Sequence, residues 1–229
     1  MPDLSTILLA GITGLISGLL LSIPIGPVNL SIINEGACHG FWRGMLVGLG
    51  ASVMELIYCA IAFTGFSSFF DDRVVKASME VFSFVFLLFL GVKFLMAKTV
   101  TAPTQLGAAA GRIEARVGQR LHPHSAFMNG FVRVLGNLGV LLFWIVLAAN
   151  FMSHDWVVDT LVAKTACVAG VAVGTNLWFC TLSFGVSRGH GRFSESTLLR
   201  MQYISGLCLI VVGLFDGGHI VWQLAKHKI

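Results

Sequence analysis

Two prolines three residues apart, Pro24 and Pro27, interrupt the apolar run from Ile7 to Ile33, within Ser22-Ile23-Pro24-Ile25-Gly26-Pro27-Val28-Asn29. In a helix interior each proline removes one amide donor and its ring clashes with the carbonyl four residues back, which strands the carbonyls of Leu20 and Ile23. Lipid has no donor to offer them. Broken backbone at membrane depth is stable only against protein or a water-filled cavity, and a half-helix restarting at Pro27 directs its positive end into that space. Such an interruption implies a binding cavity within the span.

The remainder of the chain also reads as membrane-embedded. Of its 229 residues 56% are hydrophobic and 11% charged, against roughly 25% charged in ordinary soluble domains. A hydrocarbon core is crossed by about 20 predominantly apolar residues. Six stretches qualify, near residues 7–33, 45–66, 81–97, 127–152, 161–185 and 201–223. The first has Asp3 and no Lys or Arg before it, and its apolar run exceeds a signal peptide's core, so it reads as an uncleaved span. The expectation is an all-α polytopic membrane protein in one membrane domain. Cys38, Cys59, Cys167, Cys180 and Cys208 form no C-x-x-C pair and read as small apolar fillers.

Loops rich in Lys and Arg stay in the cytoplasm. With six alternating spans, the first, third and fifth loops hold Arg43, Lys98, Arg112, Arg116, Arg120, Arg188, Arg192 and Arg200, against Arg73, Lys76, Lys164, Lys226 and Lys228 on the other face. Both termini are therefore expected outside the cytoplasm. The net charge of +4 reports topology and no nucleic-acid partner, because the basic residues are dispersed and no recognition motif accompanies them.

The longest connection, 98–125, is expected to be a cytoplasmic linker between halves 1–97 and 126–229. Three spans per half make two similar halves inverted repeats. An internal echo supports this: Gly18 precedes Pro24 by six residues and Gly130 precedes Gly136 by six, and Gly136-Asn137-Leu138-Gly139 interrupts the fourth span as Pro24 to Asn29 interrupts the first. Matching interruptions in two halves point to a transport site.

Pro24-Ile25-Gly26-Pro27-Val28-Asn29, a second span with Gly44, Gly48, Gly50 and the acid Glu55, the stretch from Gly130-Phe131 to Asn137, Leu177-Trp178 and Ile204-Ser205-Gly206 together resemble the lysine exporter (LysE/RhtB-type) superfamily. The resemblance covers nearly the whole chain. It implies a secondary transporter in the bacterial inner membrane that exports amino acids or related small metabolites. Many members carry Ser-Pro-Gly-Pro where this chain has Ile23-Pro24-Ile25-Gly26-Pro27, and Asn-Pro-Lys where it has Asn137-Leu138-Gly139.

Apart from the resemblance, a charged side chain at the centre of a span costs roughly 2.5–3.5 kcal/mol on insertion scales and is rarely accidental. Glu55, near the middle of the second span, reads either as a carboxylate that binds an ammonium or carries a coupling proton, or as half of a structural pair. Arg133, six residues into the fourth span, lies about 9 Å deep. Binding a substrate carboxylate, pairing with Glu55 and snorkelling to the headgroups all remain open for it. Asp216 and His219 share a helix face and could relay protons, or could mark a helix end at Gly217-Gly218. Asn29 and Asn137 adjoin the interruptions and, with Pro24, Gly26 and Pro27, are candidates to line the site; Asn176 is a further candidate, with helix packing as its alternative. Lys93 and Lys164, near span ends, are expected to snorkel.

A metal-cation exporter is the rival reading, because broken helices with free carbonyls also coordinate cations. His122 and His124 form no cluster with metal-ligand spacing, and no metal site is assigned. A non-transporting membrane subunit would need neither the acid nor the twin prolines. No nucleophile and base sit at one depth to suggest an enzyme, and no Walker-type glycine loop suggests direct ATP use, so no cofactor is expected. The expected partners are a small-molecule substrate and lipid, with Gly11, Gly14 and Gly18 as a packing stripe within the chain or between copies of a homo-oligomer.

Overall fold

A computed structural model describes residues 3–24, 26–65, 73–96, 125–188 and 195–226. These form α1 (Leu4–Ser22), α2 (Pro27–His39), α3 (Phe41–Gly65), α4 (Arg73–Leu95), α5 (Ala126–Leu135), α6 (Leu138–Ser153), α7 (Leu161–Ser187) and α8 (Glu195–Lys226), with no strand among the described residues. The expected linker 98–125, with its arginines and histidines, lies outside them but for Ser125, which caps α5 by accepting from the Met128 amide at 3.2 Å.

Both expected interruptions divide a span into two helices. The first stretch becomes α1 and α2. At 1.5 Å per residue α1 alone reaches about 28 Å, close to the thickness of a hydrocarbon core, so the break falls near its end rather than halfway along a single crossing. The fourth stretch becomes α5 and α6, bent by 66°. A single residue, Gly40, turns the chain from α2 into α3, and its φ of 85° is a conformation that side chains other than glycine rarely adopt.

By length and composition α1, α3 and α7 can each cross a membrane, and the bent α5–α6 pair makes a fourth candidate. In α4 and α8 the apolar stretches are shorter, Val81–Leu95 and Leu199–Phe215. Both helices extend beyond them into charged turns, through Arg73, Lys76 and Glu80 in α4 and Glu195 and Lys226 in α8. The solvent-facing surface is apolar, with Ile12, Val85, Phe89, Val173, Leu207 and Val211 each roughly half exposed. Serine, threonine and asparagine lie inside, including Ser52, Ser83, Asn150, Thr175 and Ser183. That distribution suits a lipid solvent, in which buried polar groups supply contacts between helices.

Helix α1 packs on α7, α3 on α5, α6 and α7, and α4 on α8 and α6, while α2 lies against α3 and α7. Three seams are held at backbone distance by glycine on both sides. Gly14 and Gly18 of α1 meet Cys167 and Val171, and Gly170 and Gly174 of α7 meet the backbone of Gly11 to Leu19. Gly50 of α3 meets Phe127 and Phe131, and Gly130 of α5 meets Val47 and Ala51. Gly91 of α4 and Gly206 of α8 face one another. The Gly11, Gly14 and Gly18 stripe is thus used within the chain. Dispersion and close Cα–H approach hold such seams where lipid removes the hydrophobic drive.

The expected helix end at Gly217-Gly218 is corrected: α8 continues to Lys226, and Gly217 sits inside it under the ring of Phe84. Lys164 is paired with Asp159 of the loop before α7.

Candidate functional site

The first break is closed by one side chain. Asn29, 3% exposed in the first turn of α2, donates through Nδ2 to the carbonyls of Ser22 and Pro24, each at 2.8 Å, and accepts from Trp178 Nε1 of α7 at 3.3 Å. The carbonyls served are those of Ser22 and Pro24 rather than of Leu20 and Ile23. Pro27 occupies the first helical position of α2, where a missing amide costs nothing. Gly26 is extended, and its carbonyl accepts from Leu30 at 3.0 Å. The amides of Val28 and Asn29 precede that first bond, so they lie outside the helix's own ladder at its positive end.

The second break is built in parallel. Asn137 caps α6, accepting from the Gly139 amide at 3.1 Å, and its own amide donates to Val134 O at 2.9 Å. Tyr58 of α3 donates its hydroxyl to the Leu135 carbonyl at 2.8 Å, which satisfies the last turn of α5. Each break is therefore tied to a long helix of the other half, through Trp178 in one case and Tyr58 in the other.

The start of α2 and the start of α6 meet at one cavity of about 70 Å³, lined by Pro24, Gly26, Pro27, Asn29, Glu55, Arg133 and Asn137 together with Ser22 and apolar neighbours. Seven of the residues singled out in the sequence thus converge. Glu55, on α3 one turn before Tyr58, makes no hydrogen bond or ion pair among the described residues. Arg133 lines the same cavity and donates Nε to Asn129 Oδ1 at 2.9 Å, one turn back along α5. Of the three roles open to Arg133, no ion pair with Glu55 is formed.

Arg133 and Pro27 also line a second, larger space of about 430 Å³ between α2 and α5, whose other walls include Ser31, Asn34, Glu35 and Asn129. Glu35 is held there by His39 at 3.1 Å and Arg43 at 3.3 Å. On its far side the central cavity adjoins an apolar chamber of about 60 Å³, with Leu21, Pro24, Glu55 and Val140 in both walls.

Asn176 is placed apart. Its Nδ2 donates to Ser52 Oγ and to the Ala172 carbonyl, each at 2.8 Å, within an α3–α7 contact that includes the Ser52–Thr175 bond at 2.9 Å, and it does not line the cavity. Asp216 and His219 fall on α8, but their side chains lie outside the described residues. Tyr58, Asn129 and Trp178 enter the site or its support without having been singled out for it. The available signal was weak: tyrosine and tryptophan inside an apolar bundle need a partner for their polar tip. Among the described residues no group of three or more His, Cys, Asp or Glu could hold a metal ion.

Comparison with known proteins gives the same direction. A family model described as "LysE type translocator" matches residues 19–215. The chain is 27% identical over 210 residues to the "Putative amino acid efflux protein YcgF" of Bacillus subtilis (strain 168), an alignment covering 92% of this chain and 96% of that protein. No solved structure matches. With the match running from the last turns of α1 to the apolar end of α8, through both breaks and the cavity between them, the chain belongs to the LysE type translocator family of exporters.

Proposed function

We propose that the protein exports amino acids from the bacterial cytoplasm across the inner membrane, through the cavity between the two helix breaks. The carrying observation is that Arg133 lines both the large α2–α5 vestibule and the small central cavity, while Glu55 lines that cavity with no hydrogen bond or ion pair among the described residues. An α-amino acid brings one carboxylate and one ammonium. Arg133 would release Asn129 to hold the carboxylate, near the positive end of α2, and Glu55 would take the ammonium. Both pairs of charges are then matched, which low-dielectric surroundings demand.

On this reading the chain has six spans arranged as two inverted halves, with α1–α2, α3 and α4 matched to α5–α6, α7 and α8. The helix pairing supports that correspondence: the contact of α1 with α7 has α3 with α5 as its counterpart, and α3–α7 and α4–α8 each pair a helix with its own equivalent. Both termini lie outside the cytoplasm, so the vestibule between α2 and α5 opens inward, toward the substrate. Glu55 provides a site for a coupling proton once the ammonium has left, and the membrane potential is the alternative drive.

Room is limited in the central cavity: about 70 Å³ holds some two waters at roughly 30 Å³ each. Substrate entry therefore requires α2 and α5 to move apart, and the tight Gly40 turn and the α5–α6 bend are the places where the backbone can accommodate this. Efflux of labelled amino acids and of divalent metal ions from cells expressing the chain tests the proposal. Amino-acid efflux above that of vector-only cells is expected; export of metal ions alone would replace this reading with the cation exporter.

A further inference from the structure

The substrate's charged end does not fill the space around Glu55. On the side away from Arg133, Glu55 also lines the apolar chamber of about 60 Å³, whose remaining walls include Leu90 and Phe94 of α4, Phe143 and Trp144 of α6, and Leu209 of α8. Four of these five are buried, Trp144 and Phe94 at 2% exposure. Among the described residues of that lining Glu55 is the one ionisable group, and no hydroxyl or amide side chain accompanies it. The polar cavity, by contrast, combines Asn29, Arg133 and Asn137 with the starts of α2 and α6.

The two spaces are adjacent. Leu21, Pro24, Glu55 and Val140 contribute to both, so Glu55 stands at the boundary between a zwitterion-matching compartment and an apolar one. An α-amino acid whose ammonium meets Glu55 and whose carboxylate meets Arg133 has one group left to place, its side chain, and the remaining space beyond Glu55 is apolar and partly aromatic.

We propose that the apolar chamber formed by Leu90, Phe94, Phe143, Trp144 and Leu209 is the side-chain subsite, and that the exported substrates are amino acids with apolar side chains; at about 60 Å³ the chamber must widen, as the central cavity must, to take an isobutyl or benzyl group. The inference rests on the amino-acid reading above and adds its specificity. A lysine side chain placed there would carry its ammonium past the single acid into a wall with no second carboxylate, and burying that charge unpaired is prohibitive. A serine side chain would lose its water without gaining a partner. An isobutyl or benzyl group replaces water against Leu and Phe surfaces, a transfer favoured by burial of apolar area.

The test is efflux from cells loaded internally with dipeptides that release leucine, phenylalanine, lysine or serine. Leucine and phenylalanine efflux at least tenfold above that of lysine and serine is expected. Leu90→Phe, which narrows the chamber without adding charge, is expected to lower leucine and phenylalanine efflux several-fold more than alanine efflux, per inserted molecule. A second variant, Leu209→Phe, narrows the same chamber from α8 and serves if the first fails to accumulate. Equal or preferential export of lysine or serine by the unaltered chain overturns the subsite while leaving amino-acid export standing. Absence of efflux for every amino acid overturns both. Unchanged selectivity in an accumulating narrowed variant also overturns the subsite.

Discussion

Asn29→Ala is expected to destabilise the protein before it affects any chemistry, because one carboxamide holds the first break closed. The substitution strands the Ser22 carbonyl, which is buried, and that loss is worth about 1–3 kcal/mol. The bond to the Pro24 carbonyl is partly exposed at the cavity and the bond from Trp178 is long at 3.3 Å, so each is worth about 0.5–1.5 kcal/mol. The total is about 2–6 kcal/mol. Trp178→Phe removes only the indole donor and should cost about 1 kcal/mol, since the ring's packing is largely kept. Asn29→Asp keeps an acceptor for Trp178 but turns carboxylate oxygens toward two carbonyls, and should be at least as damaging as alanine. The assay is denaturant unfolding of the purified protein in detergent, followed by tryptophan fluorescence and by loss of monodispersity. If Asn29→Ala unfolds at the same denaturant concentration as the unaltered protein and as Trp178→Phe, water and not Asn29 satisfies the break, and the account of its closure is wrong.

Gly130→Val should prevent accumulation in the membrane, because the first added carbon would lie 2.8 Å from the Val47 carbonyl carbon and 3.0 Å from the Ala51 amide, backbone atoms that cannot rotate away; a normal yield of folded protein would show that the α3–α5 seam yields. Pro24→Ala combined with Pro27→Ala favours a continuous helix, since alanine is better than proline by about 3 kcal/mol in a helix interior. That variant should insert well and export little, and undiminished efflux per inserted molecule would end the broken-helix reading. A reporter active only in the cytoplasm, fused to the C-terminus, should stay silent; a strong signal would reverse the proposed orientation or change the number of spans.

Much of the architecture could be read in the sequence because lipid enforces simple rules. Apolar length located the helices, though α4 and α8 begin six to eight residues before the apolar stretches and α2 runs six residues past the first, and the prolines located the first break. The second break, lacking proline, was legible from Gly136 and Asn137: the glycine destabilises the helix and the asparagine caps the next one. Convergence of Pro24, Asn29, Glu55, Arg133 and Asn137 on one cavity was anticipated only as a pairing of breaks with ionisable groups, since which face of α3 turns inward depends on where Gly50 lets α5 approach. Asn176 shows the limit. Polar type and mid-span depth are the same for a cavity residue and for one that ties two helices together, and only the position of Ser52 separates them. The role of Tyr58 and Trp178 as clasps was legible only as a need for some polar partner, because each reaches a carbonyl or amide more than 70 positions away in the chain.

On the proposed reading Glu55 acts on the transported substrate or its coupling proton and not on the fold. Glu55→Gln keeps the volume and removes the charge. Because Glu55 has no ion pair to lose among the described residues, the variant should fold and insert as the unaltered protein does. The deciding measurement is efflux of labelled amino acid from proteoliposomes containing equal amounts of purified unaltered protein and Glu55→Gln. A loss of at least tenfold in the variant with an unchanged unfolding midpoint is expected; efflux at the normal rate would leave Glu55 without a part in transport, and loss of the folded protein would make it structural.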